Sequence, residues 1–535
     1  MSGQSGDQSG GTSGGTSAPA AKVMKVSALA VPFLGFLGAI QGSAPNIAST
    51  ALVGASKSLD MAGSTQALAA SMQTLAIAAT VITAGLVADR IGRRNLLLVA
   101  LVVGAVGNLI VLASPAVGVY LLGQAVVGVG LGATYGAAFG FMKSVVKPEK
   151  LAGAMGLFTA AVMVFTLVLT FVGGTLASAN WRTAYLLIPV MCAVAFVLTP
   201  LLLPRLPRVT GGSFDVVGQI VLGLGIVGVL YGFSQFATSL TSPRTLVPLV
   251  AGVVLLVAFV VWEGRYAGAF FPVALLRSPV FLGALCFGFV YNFGTAVSFL
   301  QLTNLWQYVN GITTSKAAIW QLPLLLSGIV AGVVTGRVMG RGLRNRTAGL
   351  VGGVTAAAGF VYLAIANGAT SLVGFAPGMV LVGAGVVIAA VPFGNLILRE
   401  APARYLGPVS SSRTMFGQVF YTLGFALSTV AIDRLTRGGV VERLTAAGVP
   451  ANQLGTGIDA VTAYAGQGTQ PTTSLGKQAL ADAITSYGDA FRTTFLVAAA
   501  AILVLTLLAT LLLRGGEGEP QPAHEDGAPL EHEPA

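Results

Sequence analysis

The sequence predicts an all-α integral membrane protein with fourteen transmembrane helices, and three observations carry that prediction. Apolar residues make up 55% of the chain against 9% charged, with a mean hydropathy of +0.83. Apolar runs of the ~20 residues needed to cross a hydrocarbon core recur along almost the whole length. Basic residues are also shared unevenly between alternate loops, as the positive-inside rule requires. The same composition excludes whole classes of function. Both histidines, His524 and His532, lie in the C-terminal tail, so the spans have no imidazole for a metal site or a Ser-His pair. Cys192 and Cys286 are the only two cysteines and sit inside apolar runs, which excludes a disulfide framework. The formal charge of +11 follows topology and does not form a face for nucleic acid.

The spans are expected at about 26–50, 66–88, 95–114, 118–142, 151–178, 183–204, 216–237, 245–262, 278–303, 315–339, 347–366, 371–396, 405–433 and 490–513. With the N-terminus cytoplasmic, 19 of the 29 Lys and Arg fall on inside segments. The short outside loops hold only Lys57, Arg182, Arg244 and Lys316. An odd count would invert half of the loops, so an even count with both termini cytoplasmic fits best. Five segments follow. Residues 1–25 read as a disordered cytoplasmic tail, Gly/Ser/Thr-rich and without a signal-peptide pattern. Residues 26–205 form a six-helix bundle, and 206–272 a linker with an inserted helix pair. Residues 273–513 form a second six-helix bundle that includes a long extracellular segment, 434–489. Residues 514–535 are an acidic, disordered cytoplasmic tail.

Between the second and third spans stands Gly85-Leu-Val-Ala-Asp89-Arg90-Ile-Gly92-Arg93-Arg94. After the tenth span comes a weaker echo, Gly336-Arg-Val-Met-Gly340-Arg341-Gly-Leu-Arg344. Two six-span halves with related loops are what an internal duplication leaves behind. Gly128, Gly132, Gly136 and Gly140 share one face of the fourth span, and Gly328, Gly332, Gly336 and Gly340 one face of the tenth. Small residues at that spacing let helix backbones approach closely, either as static packing or as a sliding interface.

The Gly-x-x-x-Asp-Arg-x-Gly-Arg-Arg spacing resembles the loop signature of the major facilitator superfamily of secondary transporters. Phe214-Asp215-Val-Val-Gly218, Gly173-Gly174-Thr-Leu-Ala-Ser-Ala-Asn-Trp181-Arg182, Ser412-Arg413-Thr-Met-Phe-Gly417 and Asp489-Ala-Phe-Arg492 resemble its fourteen-helix drug/proton antiporter family. The resemblance covers about residues 26–513. It implies a major-facilitator fold of two six-helix bundles plus an inserted pair, multidrug or natural-product efflux, and a monomer. It also implies a conformational latch at Gly85, Asp89, Arg90, Gly92, Arg93 and Arg94. Ion pairing at a helix end near the half-to-half seam suits such a latch; the bland alternative is a positive-inside anchor.

The departures bear on coupling. The family's first span carries an Asp where this chain has Gln41, in Ile40-Gln41-Gly-Ser43-Ala-Pro-Asn46. Its fourth span carries an Arg where Gln124 stands, and its fifth a Gly-Pro where Leu169-Thr170 stands. No Asp or Glu lies deep in a predicted span; Asp89, Asp215, Glu263, Glu400 and Asp433 all lie near ends. A proton carrier needs a group that titrates within the cavity, which Gln does not supply. The residues therefore support transport more firmly than proton antiport.

The first, fourth, ninth and twelfth spans are expected to line a cavity. Their polar or aromatic members include Gln41, Asn46, Gln124, Tyr135, Tyr291, Asn292, Gln301 and Asn395. An aromatic wall with a few amides suits a neutral or weakly charged amphipathic molecule. Arg413 is the basic residue placed well inside a span, where it either attracts an anionic substrate or snorkels to the helix end.

The leading reading is a cell-membrane exporter of small amphipathic compounds, with lipid and substrate as partners and protons as a further partner if antiport holds. The second is a facilitator or exchanger of a metabolite or lipid without proton coupling. A membrane sensor is the reading from a different class. No cofactor, metal or nucleic acid is expected. No phosphate-binding loop is found, since Gly476-Lys477 is followed by Gln, and no enzyme chemistry is expected.

Overall fold

A computed structural model describes residues 29–61, 63–206, 215–236, 241–266, 268–312, 314–467 and 470–515. Both terminal tails, with Lys22, Lys25, Arg208 and Phe214, lie outside the described residues. Those residues form sixteen α-helices and no strand. In lipid this follows from the backbone, whose N–H and C=O groups must be satisfied within the segment itself. The first half holds α1 (Ala30–Ser58), α2 (Gly63–Ile91), α3 (Arg93–Leu112), α4 (Val117–Val145), α5 (Leu151–Ala179) and α6 (Ala184–Leu202). The inserted pair is α7 (Val216–Ser234) and α8 (Pro243–Glu263). The second half holds α9 (Pro279–Tyr308), the short α10 (Thr314–Trp320), α11 (Leu322–Gly340), α12 (Asn345–Ile365) and α13 (Leu372–Glu400). It ends with α14 (Leu406–Ala446), α15 (Ala451–Gln467) and α16 (Ser474–Leu512).

Thirteen of the described helices are long and apolar enough to cross a membrane. The remaining expected span is α1, which is 29 residues long but diluted by Gln41, Ser43 and Asn46. It packs on α5 and α4 within the bundle. Several starts are capped as the residues dictate. Asp215 accepts a bond from the Gly218 N–H at 2.8 Å, and Ser278 one from the Phe281 N–H at 3.3 Å, with Pro279 in the first turn of α9.

The helices pack as two bundles, and the larger apolar cluster runs through both, from Leu97 and Phe139 to Phe393 and Leu398. In the first, α4 packs on α2 and α3, α1 on α5, and α3 on α6. In the second, α12 packs on α13 and α16, and α9 on α13 and α14. The halves meet through two crossed contacts, α2 with α14 and α5 with α11. Leaving aside the short α10 and α15, these join the second helix of each half to the fifth of the other, as a duplicated chain with two-fold pseudosymmetry would. The α7–α8 pair leans on the seam from outside, with α7 touching both α2 and α14. Outward faces are apolar, as in Val99, Val102 and Val106 of α3 and Val250, Val254 and Val257 of α8. Those side chains face lipid.

The glycine stripes divide between two jobs. Gly332 and Gly336 of α11 lie against Gly156 of α5, so that a Cβ on Gly156 would fall 2.4 Å from the Gly332 carbonyl. Gly128 and Gly132 of α4 instead seat α2 within the first half, while Gly136 and Gly140 face α14 and Arg93. These close approaches between the halves fall toward one end of the bundle, the end carrying Asp89.

Segment 434–489, expected between the last two spans, is largely helical. Helix α14 continues thirteen residues past 433 to Ala446, and α16 begins at Ser474 rather than near 490. With α15 they form a helical cap around Val440, Leu444, Ala479 and Ala483. Charges such as Asp433, Arg434 and Arg437 end the apolar run there, but they do not break a helix: Arg437 donates to Asp433 one turn away at 2.9 Å.

Gly156→Leu should overpack the α5–α11 seam at a cost of about 1–3 kcal/mol. The purified protein is expected to lose about 1–3 °C in thermal midpoint. Gly118→Leu, whose added Cβ meets nothing within 4 Å, should leave the midpoint unchanged; equal shifts in both variants would refute the close seam.

Candidate functional site

The α2–α3 turn is made by one residue, Gly92, at φ +93°, a conformation that a side chain would strain. This sharp turn brings Arg93 back beside Asp89. The Asp89 carboxylate is buried at 7% exposure. Its Oδ1 accepts from Arg93 Nη2 at 2.6 Å, and its Oδ2 accepts from the backbone N–H of Gly407 at 2.7 Å. Gly407 lies in the first turn of α14, where backbone donors have no partner within the helix and the helix dipole favours an anion. One carboxylate thus joins α2 and α3 of the first half to α14 of the second, through two charge-assisted bonds.

The glycine four residues earlier has a physical reason. Gly85 shares the face of Asp89, and a Cβ there would come within 2.4 Å of the Gly407 carbonyl and of Ser411 Oγ. A Cβ on Gly407 would in turn lie 2.1 Å from the Gly85 carbonyl. Both must be glycine for α2 and α14 to come close enough for Asp89 to reach an amide. Arg94 donates to the carbonyl of Leu203, just past α6, at 3.5 Å, and Arg90 is half-buried at the end of α2. Arg93 points its second amine toward Gly140, where any side chain would collide with it.

Two further links cross the same end. Lys143 of α4 donates to the carbonyl of Ala401, in the turn between α13 and α14, at 2.6 Å. Arg413 of α14 donates to the hydroxyl of Tyr135 on α4. Arg413 does not snorkel: it is 6% exposed, with its guanidinium 4.7 Å from the Phe139 ring centre and 5.2 Å from that of Phe393.

The other expected cavity residues are placed apart. Gln124 is fully buried inside the first half, accepting from Gln73 and donating to the Tyr185 hydroxyl at 3.0 Å. Asn395 donates to Asn345 at 2.7 Å, joining α13 to α12. Asn292 bonds the Gly288 carbonyl of its own helix and lies against Gly417 of α14. Asn46 bonds Gly42 at 3.3 Å, Gln41 is buried on α1, and Tyr291 is half-buried on α9. Gln301 donates to Ser428 at 2.9 Å and faces a different space, a 290 Å³ cavity walled by α9, α14, α15 and α16.

Sequence reasoning did not single out Gly407, Ala401, Gln73 or Tyr185. Gly407 and Ala401 act through backbone groups, which carry no signal in residue type. The run Ser410–Ser411–Ser412, fully buried in the seam, is the clue that was available.

A model of the Major Facilitator Superfamily matches residues 33–425. The chain is 26% identical over 436 residues to an uncharacterized MFS-type transporter of Mycobacterium tuberculosis, covering 81% of this chain but only 62% of that protein. A multidrug resistance protein B homolog from the same species is 25% identical, covering 66% of this chain and 67% of its own. Among solved structures, the human organic anion transporter MFSD10 superposes with a TM-score of 0.56 at 12% identity, covering 90% of this chain and 98% of its own, which speaks for the fold alone. The motif, the crossed two-half architecture and the family match lead to one conclusion: this many-helix membrane chain belongs to the Major Facilitator Superfamily.

Proposed function

We propose that this transporter exports small amphipathic compounds, drugs or natural products, across the cell membrane by alternating access. The single observation behind the proposal is the Asp89 carboxylate held between Arg93 and the Gly407 amide. A buried charge is tolerable only while both partners are present, so the bond belongs to one conformer and is lost in the other. By the charge asymmetry of the loops this end is cytoplasmic, as are both termini, and the conformer is closed to the inside. The halves, 26–205 and 273–513, would rock as bodies while 206–272 rides on the seam, within a monomer. The name of the M. tuberculosis multidrug resistance homolog supports the direction and the substrate class.

Proton antiport is the finer reading, with Asp89 as the titrating group. Among the described residues it is the buried carboxylate that lies on the seam between the halves; the other two, Asp215 and Glu263, belong to the inserted pair. Protonation would cancel the charge that binds Arg93 and weaken the closed state. The competing reading, a facilitator without proton coupling, is favoured by Gln41 and Gln124 standing where the resembled family carries charge.

Asp89→Asn removes a charge-assisted bond worth about 1.5–3 kcal/mol, which shifts the two conformers by roughly 10- to 100-fold. Cells expressing the variant should retain a neutral amphipathic dye such as Nile red that wild-type cells clear. Clearance at the wild-type rate, with equal protein in the membrane, would refute the latch. In proteoliposomes, dye efflux should accelerate when the opposite side is made acidic, and should lose that response in Asp89→Asn. Efflux indifferent to the imposed gradient would assign the chain to the facilitator reading.

A further inference from the structure

We infer that Arg413 is the recognition residue for an anionic group, a carboxylate, on the transported compound. This rests on the export reading above and narrows it to amphipathic organic anions. Arg413 lies about 10 Å in from the start of α14, where a charge has no route to water at 6% exposure. The ion pairs among the described residues are Arg93–Asp89, Arg437–Asp433 and Arg443–Asp489, so Arg413 has no carboxylate partner. A guanidinium carries five N–H donors. Here one amine meets the Tyr135 hydroxyl, while Nε has no partner. The side facing Nε is Gly394, which contributes no side chain to cover it.

What shields the charge is aromatic. Phe393 belongs to the second half, but Phe139 and Tyr135 sit on α4 of the first half. When the halves part at this end, two of the three rings and the one hydrogen bond leave together. The guanidinium then faces the pathway with an empty planar fork, the geometry that pairs two N–H bonds with a carboxylate. The surrounding Tyr135, Phe139 and Phe158 rings suit an apolar or aromatic body behind the anion.

The test is equilibrium binding of pyrenebutyrate and of its uncharged methyl ester to the full-length protein in nanodiscs, read by fluorescence anisotropy. Wild type should prefer the acid by about tenfold or more, and Arg413→Gln should bring the two within about twofold while ester binding persists. No preference in wild type overturns the inference, as does an equal loss of both ligands in a variant with native thermal midpoint. Should Arg413→Gln fail to fold, Arg413→Lys decides. It keeps the charge without the fork, and should cut the preference by about threefold or more; an unchanged preference refutes the assignment. Because binding is read without transport, clearance of neutral dyes by cells stands or falls separately.

Discussion

The architecture at the closed end depends on one buried carboxylate. Asp89 reaches across from the first half and takes its second hydrogen bond from the amide of Gly407 on α14 of the second half. Everything around it serves that reach. Gly85 and Gly407 lack side chains so that α2 and α14 can touch along their backbones. Gly92 adopts a left-handed turn so that Arg93 folds back onto the same carboxylate. A charge out of water needs its partners, and here half of them are supplied by the other bundle. The interaction joins one side chain of the first half to the backbone of the second.

The polar groups inside each half are spent differently. Gln73, Gln124 and Tyr185 bond one another across α2, α4 and α6, and Asn345 bonds Asn395 between α12 and α13. In hydrocarbon, such side-chain bonds between helices hold a bundle together, because each group lacks water as an alternative. The seam between the halves is built instead from glycine contacts, backbone carbonyls and three cationic or anionic side chains: Asp89, Lys143 and Arg413. Gly156 against Gly332 and Gly336 gives van der Waals contact without interlocking side chains. The side-chain bond across the seam is that of Arg413 to Tyr135, while Asp89 and Lys143 end on backbone groups of the other half.

The inserted pair and the helical cap are additions to this plan. Helix α7 touches both α2 and α14, the two helices joined by the Asp89 bond, so it braces the seam from the lipid side. The extension of α14, α15 and the first turns of α16 enclose the cavity that takes up Gln301. Neither feature follows from the apolar periodicity of the spans.

Read alone, the residues determined the membrane class, the approximate positions of the spans and where basic side chains collect, and they marked Gly85, Asp89 and Arg93. Each of these is a property of local composition: a run of apolar side chains long enough for a bilayer, or charges crowded at a helix end. Tertiary structure alone decided who answers them. The partner of Asp89 is a backbone amide more than three hundred residues away, and an amide looks the same in every sequence. The helices of 434–489 stayed hidden because hydropathy detects long apolar runs, and these turns are helical while carrying many exposed polar side chains. Gln124 and Asn395, marked as cavity residues by their polarity, are bonded within their own halves, since polarity in a span announces a partner without saying on which side it lies.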